Sequence, residues 1–247
     1  MPMYFSEGSI GGDIERVSTK KIRDFYGPQT NSKKLAISDG LIRLKDNEPR
    51  GSNGVAIVGE KTASGNAMLL INPHTSFFFR GESHVVSEEG LDAYGATTWG
   101  QFFIYQGFNE KTGWMHTSTG TDIIDEFTET IIKSDAGIQY QYGKELLPVD
   151  SVKVSLNYIT DKGISSKDFT MYRTHHGPIT HAEGEKWVAT ALMWSPIKAL
   201  EQSFTRTKNS NHDEFYKMMD IRTNSSNNTV YADADGTIAY YHGNFIP

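Results

Sequence analysis

Gly51, Ser52 and Asn53 close a polar segment and open an apolar one, in NEPRGSNGVAIVGE. The step is consistent with an ordinary turn ahead of a strand. It also has the parts of a self-processing nucleophile. If the bond between Gly51 and Ser52 breaks, Ser52 presents a hydroxyl and a free α-amine on one residue. An α-amine titrates at about 7.7–8.0, so it can act as a base near neutral pH, where a lysine needs a large shift. Nucleophile and base then lie within one residue. Gly51 has no Cβ, which lets the peptide bend toward the hydroxyl for an N-to-O acyl shift. Elsewhere the chemistry is thinner. His175 and His176 are adjacent in FTMYRTHHGPIT, and on a strand their side chains face opposite ways. They are therefore expected to serve packing rather than to share a metal ion.

The residues around these groups set the limits. The 247 residues are 37% apolar and 12% aromatic, enough for one large core or two small ones. Lys and Arg number 24 against 30 Asp and Glu, a net charge of −6, and the basic residues form no stripe. A nucleic-acid partner is not expected. The longest apolar runs, AMLLI and SFFF, are strand-sized, so no membrane partner is expected either. Without cysteine, disulfides, thiolate metal sites and cysteine nucleophiles are excluded. The first residues, MPMYFSEGSIGGD, lack the basic and apolar regions of a signal peptide.

The elements that must position Ser52 are mostly strands. GVAIVGE and AMLLINP, joined by KTASGN, predict a hairpin. Their apolar residues are consecutive, which predicts strands covered on both faces. Further strands are predicted in TTWGQFFIYQGFN, GWMHTSTG, DSVKVSLNYIT, FTMYRTHHGPIT and KWVATALMW. In the third of these, Val152, Val154, Leu156 and Tyr158 share a face. NHDEFYKMMDIRT is the clearest helix, capped by Asn211 or Asp213. NTVYADADGTIAYYHG predicts a hairpin turning at Asp235-Gly236. DIERVSTKKIRDFY could form one short helix in an otherwise loop-rich leader. The chain stops straight after a strand and is expected to be part of something longer.

Five segments in order resemble the penicillin acylase-type family of N-terminal-nucleophile (Ntn) hydrolases, whose members include penicillin, cephalosporin and acyl-homoserine lactone acylases. RGSNGVAIVGEKTASGNAMLLINPH looks like the start of its β-subunit. GWMHTSTGTDIID, RTHHGPI, ALMWS and NNTVYADADGTIAYYHGNFIP resemble its later strands. The resemblance implies an α+β fold, the Ntn-hydrolase αββα sandwich, present here as a strand-rich part. Residues 1–51 then resemble the tail and linker of the α-subunit, and residues 52–247 the N-terminal part of the β-subunit.

Roles follow by the same resemblance. Gly51-Ser52 is the autocatalytic cleavage point and Ser52 the nucleophile. His74 matches a histidine that orients the α-amine or catalytic water in lactone- and cephalosporin-type members, where penicillin G-type members carry glutamine. Asn53 helps position the Ser52 hydroxyl, or else makes a turn contact. Ser118 supplies a backbone N–H to the oxyanion; the family carries small or β-branched apolar residues there, but a backbone donor survives the change. Asp122, Ile124 and Asp125 match a calcium site, two carboxylates and a carbonyl that suit a hard cation but are too few to enclose one. No cofactor is required beyond that structural calcium. Phe77 to Phe79 could wall an acyl chain.

The implied function is hydrolysis of acyl amides, β-lactam side chains or acyl-homoserine lactones, in the periplasm or outside the cell. The partners are then the small acyl-amide substrate, the absent α-subunit and the rest of the β-subunit. A later segment supplies a second oxyanion donor in the family, so this chain alone is expected to be inactive. Two other readings stand: a non-catalytic or precursor-state member of the same fold, serving as a binding or scaffold domain, and an unrelated β-rich module with Trp99, Phe102, Phe103 and Tyr105 as a sugar platform.

Overall fold

A computed structural model describes residues 17–27, 51–74, 80–98, 100–119, 124–135, 137–191, 195–223 and 227–242. Strands dominate, and three α-helices occur among the described residues. The chain divides into two compact units. One comprises residues 1–14, 35–123 and 193–247, the other residues 15–34 and 124–192.

The first unit is built on a six-stranded antiparallel sheet. It contains β3 (Arg80–Ser87), β4 (Leu91–Thr98), β5 (Gln106–Asn109), β6 (Thr112–Ser118), β15 (Asn227–Asp233) and β16 (Ile238–Tyr241), in the order β16-β15-β6-β5-β4-β3. Side chains alternate between its faces. Trp114 and Tyr231 point to one face, where Phe215, Met218 and Met219 complete a buried cluster with Ala93 and Ile104. Those three belong to α3 (His212–Met219), whose N-cap Asn211 accepts from the Glu214 N–H, as its sequence predicts. Before it lies α2 (Pro196–Thr205), with proline in its first turn.

The opposite face carries Met115 and Val230, and the predicted hairpin lies on it. β1 (Gly51–Ile57) and β2 (Met68–His74) pair antiparallel, Gly51 opposite His74 and Ile57 opposite Met68. A Cβ on Gly54 would come within 2.9 Å of both Met115 Sδ and Val230 Cγ2, so the close approach requires glycine. Among the described residues, only one face of the hairpin is covered. Val55, Ile57, Met68 and Leu70 are exposed on the other, where the consecutive apolar residues predicted cover on both.

The second unit holds α1 (Thr19–Tyr26), β7 (Asp125–Glu129), β8 (Ile131–Ser134), β9 (Gly137–Tyr142), β10 (Glu145–Pro148), β11 (Asp150–Thr160), β12 (Gly163–Thr174), β13 (Gly177–Glu183) and β14 (Lys186–Ala191). They form a five-stranded sheet, β11-β12-β13-β14-β7, and a three-stranded one, β10-β9-β8. Ser18 caps α1 through the Lys21 N–H. Phe25 packs edge-on against Trp187, and Tyr26 donates to the Ile179 carbonyl at 2.7 Å. The helix read as part of a leader is thus integral to this unit.

The FTMYRTHHGPIT segment is two strands rather than one. Thr174 Oγ1 accepts from the His176 N–H at 3.2 Å, a side-chain-closed turn that ends β12. His175 and His176 therefore lie with ring centroids 3.7 Å apart instead of on opposite faces. Tyr140 and Glu129 hold them separately, Tyr140 Oη against His175 Nδ1 at 2.6 Å and Glu129 Oε1 against His176 Nδ1 at 2.8 Å. Their rings lie side by side rather than on opposite faces of one strand, which differs from the geometry expected from the sequence.

Candidate active site

Ser52 sits in β1 between two glycines that fix its surroundings. Gly54 seats the strand on the sheet. Gly51 has φ +126°, a backbone region that side chains other than glycine's rarely adopt. Ser52, Gly54 and Ala56 are the half-buried positions of β1, so the Ser52 side chain turns toward the six-stranded sheet. Its hydroxyl donates to the Gly51 carbonyl at 2.5 Å. The hydroxyl oxygen thus lies against the carbonyl group of the bond N-terminal to its own residue.

On the other face of the hairpin, the Asn53 side-chain amide and His74 Nε2 are 3.1 Å apart. The amide donates, so Nε2 accepts and the ring proton is on Nδ1. His74 is the cross-strand neighbour of Gly51, and a Cβ on Gly51 would lie 3.8 Å from His74 Nδ1. Asn53 therefore holds the imidazole beside the 51–52 junction, while the Ser52 hydroxyl is held by the Gly51 carbonyl.

Ser118 closes β6 opposite Asn227 of β15. Two residues earlier, the His116 N–H donates to Gln106 Oε1 at 3.2 Å, on the side away from β15. The two-residue period of a strand points the Ser118 N–H the same way. On that side the pairing of β5 with β6 reaches only from Phe108-Gly113 to Gly107-Trp114. The Ser118 N–H is accordingly directed off the β15 ladder.

Behind the sheet lies a buried network that the sequence motifs do not assign. His116 Nδ1 meets Thr229 Oγ1 at 3.0 Å, and its Nε2 meets the Arg206 guanidinium. Burial, and then the Arg206 charge, hold the imidazole well below its ordinary titration range. Arg206 can only donate, so Nε2 is the acceptor and Nδ1–H donates to Thr229. The signal available in sequence was His116 alternating with Trp114 in one strand, on the core-facing side.

Asp122 and Phe77 to Phe79 lie outside the described residues. Ile124 is buried and Asp125 opens β7. Among the described residues no cluster of three His, Cys, Asp or Glu could hold a metal ion. Of the aromatic platform, Phe103 is buried and Phe102 exposed, and Trp99 lies outside the described residues.

Comparison with known proteins gives this geometry its context. The profile of a family described as penicillin amidase matches residues 7–247. The acyl-homoserine lactone acylase PvdQ of Pseudomonas putida is 29% identical over 197 residues, 75% of this chain and 24% of that protein. Its counterpart in Pseudomonas syringae pv. syringae is 28% identical over 217 residues, 80% of this chain and 27% of that protein. The chain thus spans about a quarter of the length of these curated relatives. Among solved structures, the thermostable penicillin G acylase from Alcaligenes faecalis superposes with a TM-score of 0.61 at 22% identity, covering 78% of this chain and 35% of that one.

Proposed function

Since this chain belongs to the penicillin amidase family, we propose that it is the nucleophile-bearing part of an amide hydrolase activated by cleavage at Gly51-Ser52. The observation that carries this reading is the Ser52 hydroxyl lying 2.5 Å from the Gly51 carbonyl oxygen, with Gly51 in a glycine-only conformation. In the processing step Ser52 Oγ attacks the Gly51 carbonyl carbon. The C–N bond breaks, the departing amine takes the hydroxyl proton, and water hydrolyses the resulting ester. This leaves a carboxylate on Gly51 and a free α-amine on Ser52. That amine then removes the Ser52 hydroxyl proton as Oγ attacks the acyl carbon of an amide substrate.

The other residues take roles around this centre. His74, held by Asn53, orients the new α-amine or the hydrolytic water. The Ser118 N–H is one oxyanion donor, a contribution of about 2.7–4 kcal/mol in such sites. Acyl-homoserine lactones are the favoured substrate class, because the similar curated proteins are acylases of that class. Helices, six-stranded sheet and hairpin correspond to three layers of an αββα sandwich. The exposed Val55, Ile57, Met68 and Leu70 are the face on which the fourth layer, from polypeptide outside this chain, would rest.

Intact-mass analysis of the complete protein, with turnover of N-acyl-homoserine lactones, tests the reading. Wild type is expected to split at Gly51-Ser52 and to hydrolyse the amide. Ser52→Ala should stay whole and lose activity by on the order of 10⁴-fold or more. A complete wild-type protein that hydrolyses the amide without ever splitting there would overturn it. The scaffold reading makes the opposite prediction, no turnover by the processed wild type.

A further inference from the structure

The second unit carries a two-stranded ribbon with one apolar face. β11 is the edge of the five-stranded sheet. β12 joins β13 only through Arg173-Pro178 and Thr174-Gly177. The β11–β12 pairs from Ser151-Tyr172 to Thr160-Gly163 therefore stand beyond the sheet. Their register sorts the side chains into two faces. On one, Val152 stands opposite Met171, Val154 opposite Phe169 and Leu156 opposite Lys167, with Tyr158 next along β11. The other is polar except for Ile159 and Ile164 at its tip. There the Ser155 hydroxyl donates to Asp168 at 2.6 Å, and Lys153 pairs with the same carboxylate at 3.0 Å.

The apolar face is open. Val152, Leu156 and Tyr158 are 49–56% exposed, and Val154, Phe169 and Met171 are half-buried. A two-stranded ribbon is marginal in water unless something packs on it. Antiparallel sheets commonly bury one face and wet the other. The polar face is the wet one here, so the apolar face is the one built to be covered. Lys167 indicates the chemistry of the cover. Its ammonium lies 5.0 Å from the Phe169 ring centroid, and among the described residues no carboxylate pairs with it. Asp150, the carboxylate at the base of this face, is held by Arg173 at 2.9 Å. A second copy laid face to face would bring two such Lys167 charges into one layer, which disfavours it.

The chain spans about a quarter of the length of the curated relatives it matches. We propose that this ribbon face is a docking surface for polypeptide of the same protein outside this chain, through an apolar segment that sets a carboxylate against Lys167. Docking removes the apolar side chains from water, and the ion pair closes the rim beside Phe169. The proposal stands apart from the reading of Ser52, since a protein that never splits can still cover this face.

The test is thiol labelling of the complete protein at single introduced cysteines, located by peptide mass. Leu156→Cys lies on the docked face, and Asn157→Cys beside it on the wet one. Labelling needs access to the thiol, so Leu156→Cys should react with a maleimide at least about tenfold more slowly. Equal rates in the monomeric protein overturn the proposal. Protection that vanishes on dilution assigns the cover to a second copy and overturns it as well. Where Leu156→Cys fails to fold, Val152→Cys on the same face takes its place. Lys167 tests the charge. Lys167→Glu should lower the melting midpoint of the complete protein by several degrees, by repelling the facing carboxylate. Lys167→Arg should leave the midpoint within about one degree of wild type. Wild-type midpoints in both variants, or equal losses in both, overturn the carboxylate partner.

Discussion

At the residue scale, the informative groups divide by which face of the sheet they occupy. Ser52, Thr117 and Asn228 face the layer between hairpin and sheet, while His116, Thr229 and Arg206 lie behind it. His116 makes a testable contribution to stability. Its folded titration point is held below the unfolded value of 6.5 by burial and then by Arg206. As pH falls, the unfolded chain therefore takes up this proton first. Stability is full above about pH 6.5 and declines as pH drops through it, by up to about 1.4 kcal/mol per unit, until the folded value is reached. Urea unfolding between pH 8 and 5 should show this slope, and His116→Gln should flatten that part of it. Equal slopes in the two proteins would refute the assignment. The histidine was visible in sequence, but its neutrality was not, because Arg206 approaches from a segment 90 residues away.

At the element scale, legibility follows how local the determining contacts are. The β1–β2 hairpin, the β15–β16 hairpin and the Asn211-capped helix each depend on neighbours in sequence, and each is found where the pattern puts it, although the second turns through Ala234-Asp235-Gly236 rather than a two-residue Asp235-Gly236 turn. Helix α2 escaped because the apolar ALMW run reads on from β14 into it; Pro196 after Ser195 was the available signal. The break between β12 and β13 escaped because it depends on one threonine oxygen closing a turn. The seating of β1 on the sheet gives a prediction at this scale. Gly54→Ala forces a Cβ against Met115 and the stiff Val230, and should cost about 1–3 kcal/mol. It should also slow the proposed splitting at Gly51-Ser52, by lifting Ser52 from the sheet. Thermal unfolding and intact mass read the two effects, and an unchanged melting midpoint would contradict the close approach.

At the scale of the whole molecule, the chain is two compact units whose sequence segments interleave, with residues 15–34 joining residues 124–192. The exposed face of the β1–β2 hairpin carries the prediction here. Leu70→Lys should leave the stability of this chain alone within about 0.5 kcal/mol, since Leu70 is already 51% exposed. If a further layer rests on that face in the complete protein, as proposed, the same change should lower the melting midpoint there by several degrees. Equal midpoints for mutant and wild type in the complete protein would show that nothing covers it. The sequence by itself determined the family and the β1–β2 hairpin, because these depend on residue chemistry and on alternation along a few adjacent positions. Only the tertiary structure decided which face Ser52 turns to, that Asn53 holds His74, and that hydrogen bonds join Thr117 to Asn228 and Asn228 to His242. Those residues are separated by up to 125 positions in the chain, and no pattern along the sequence encodes a strand pairing between such distant segments.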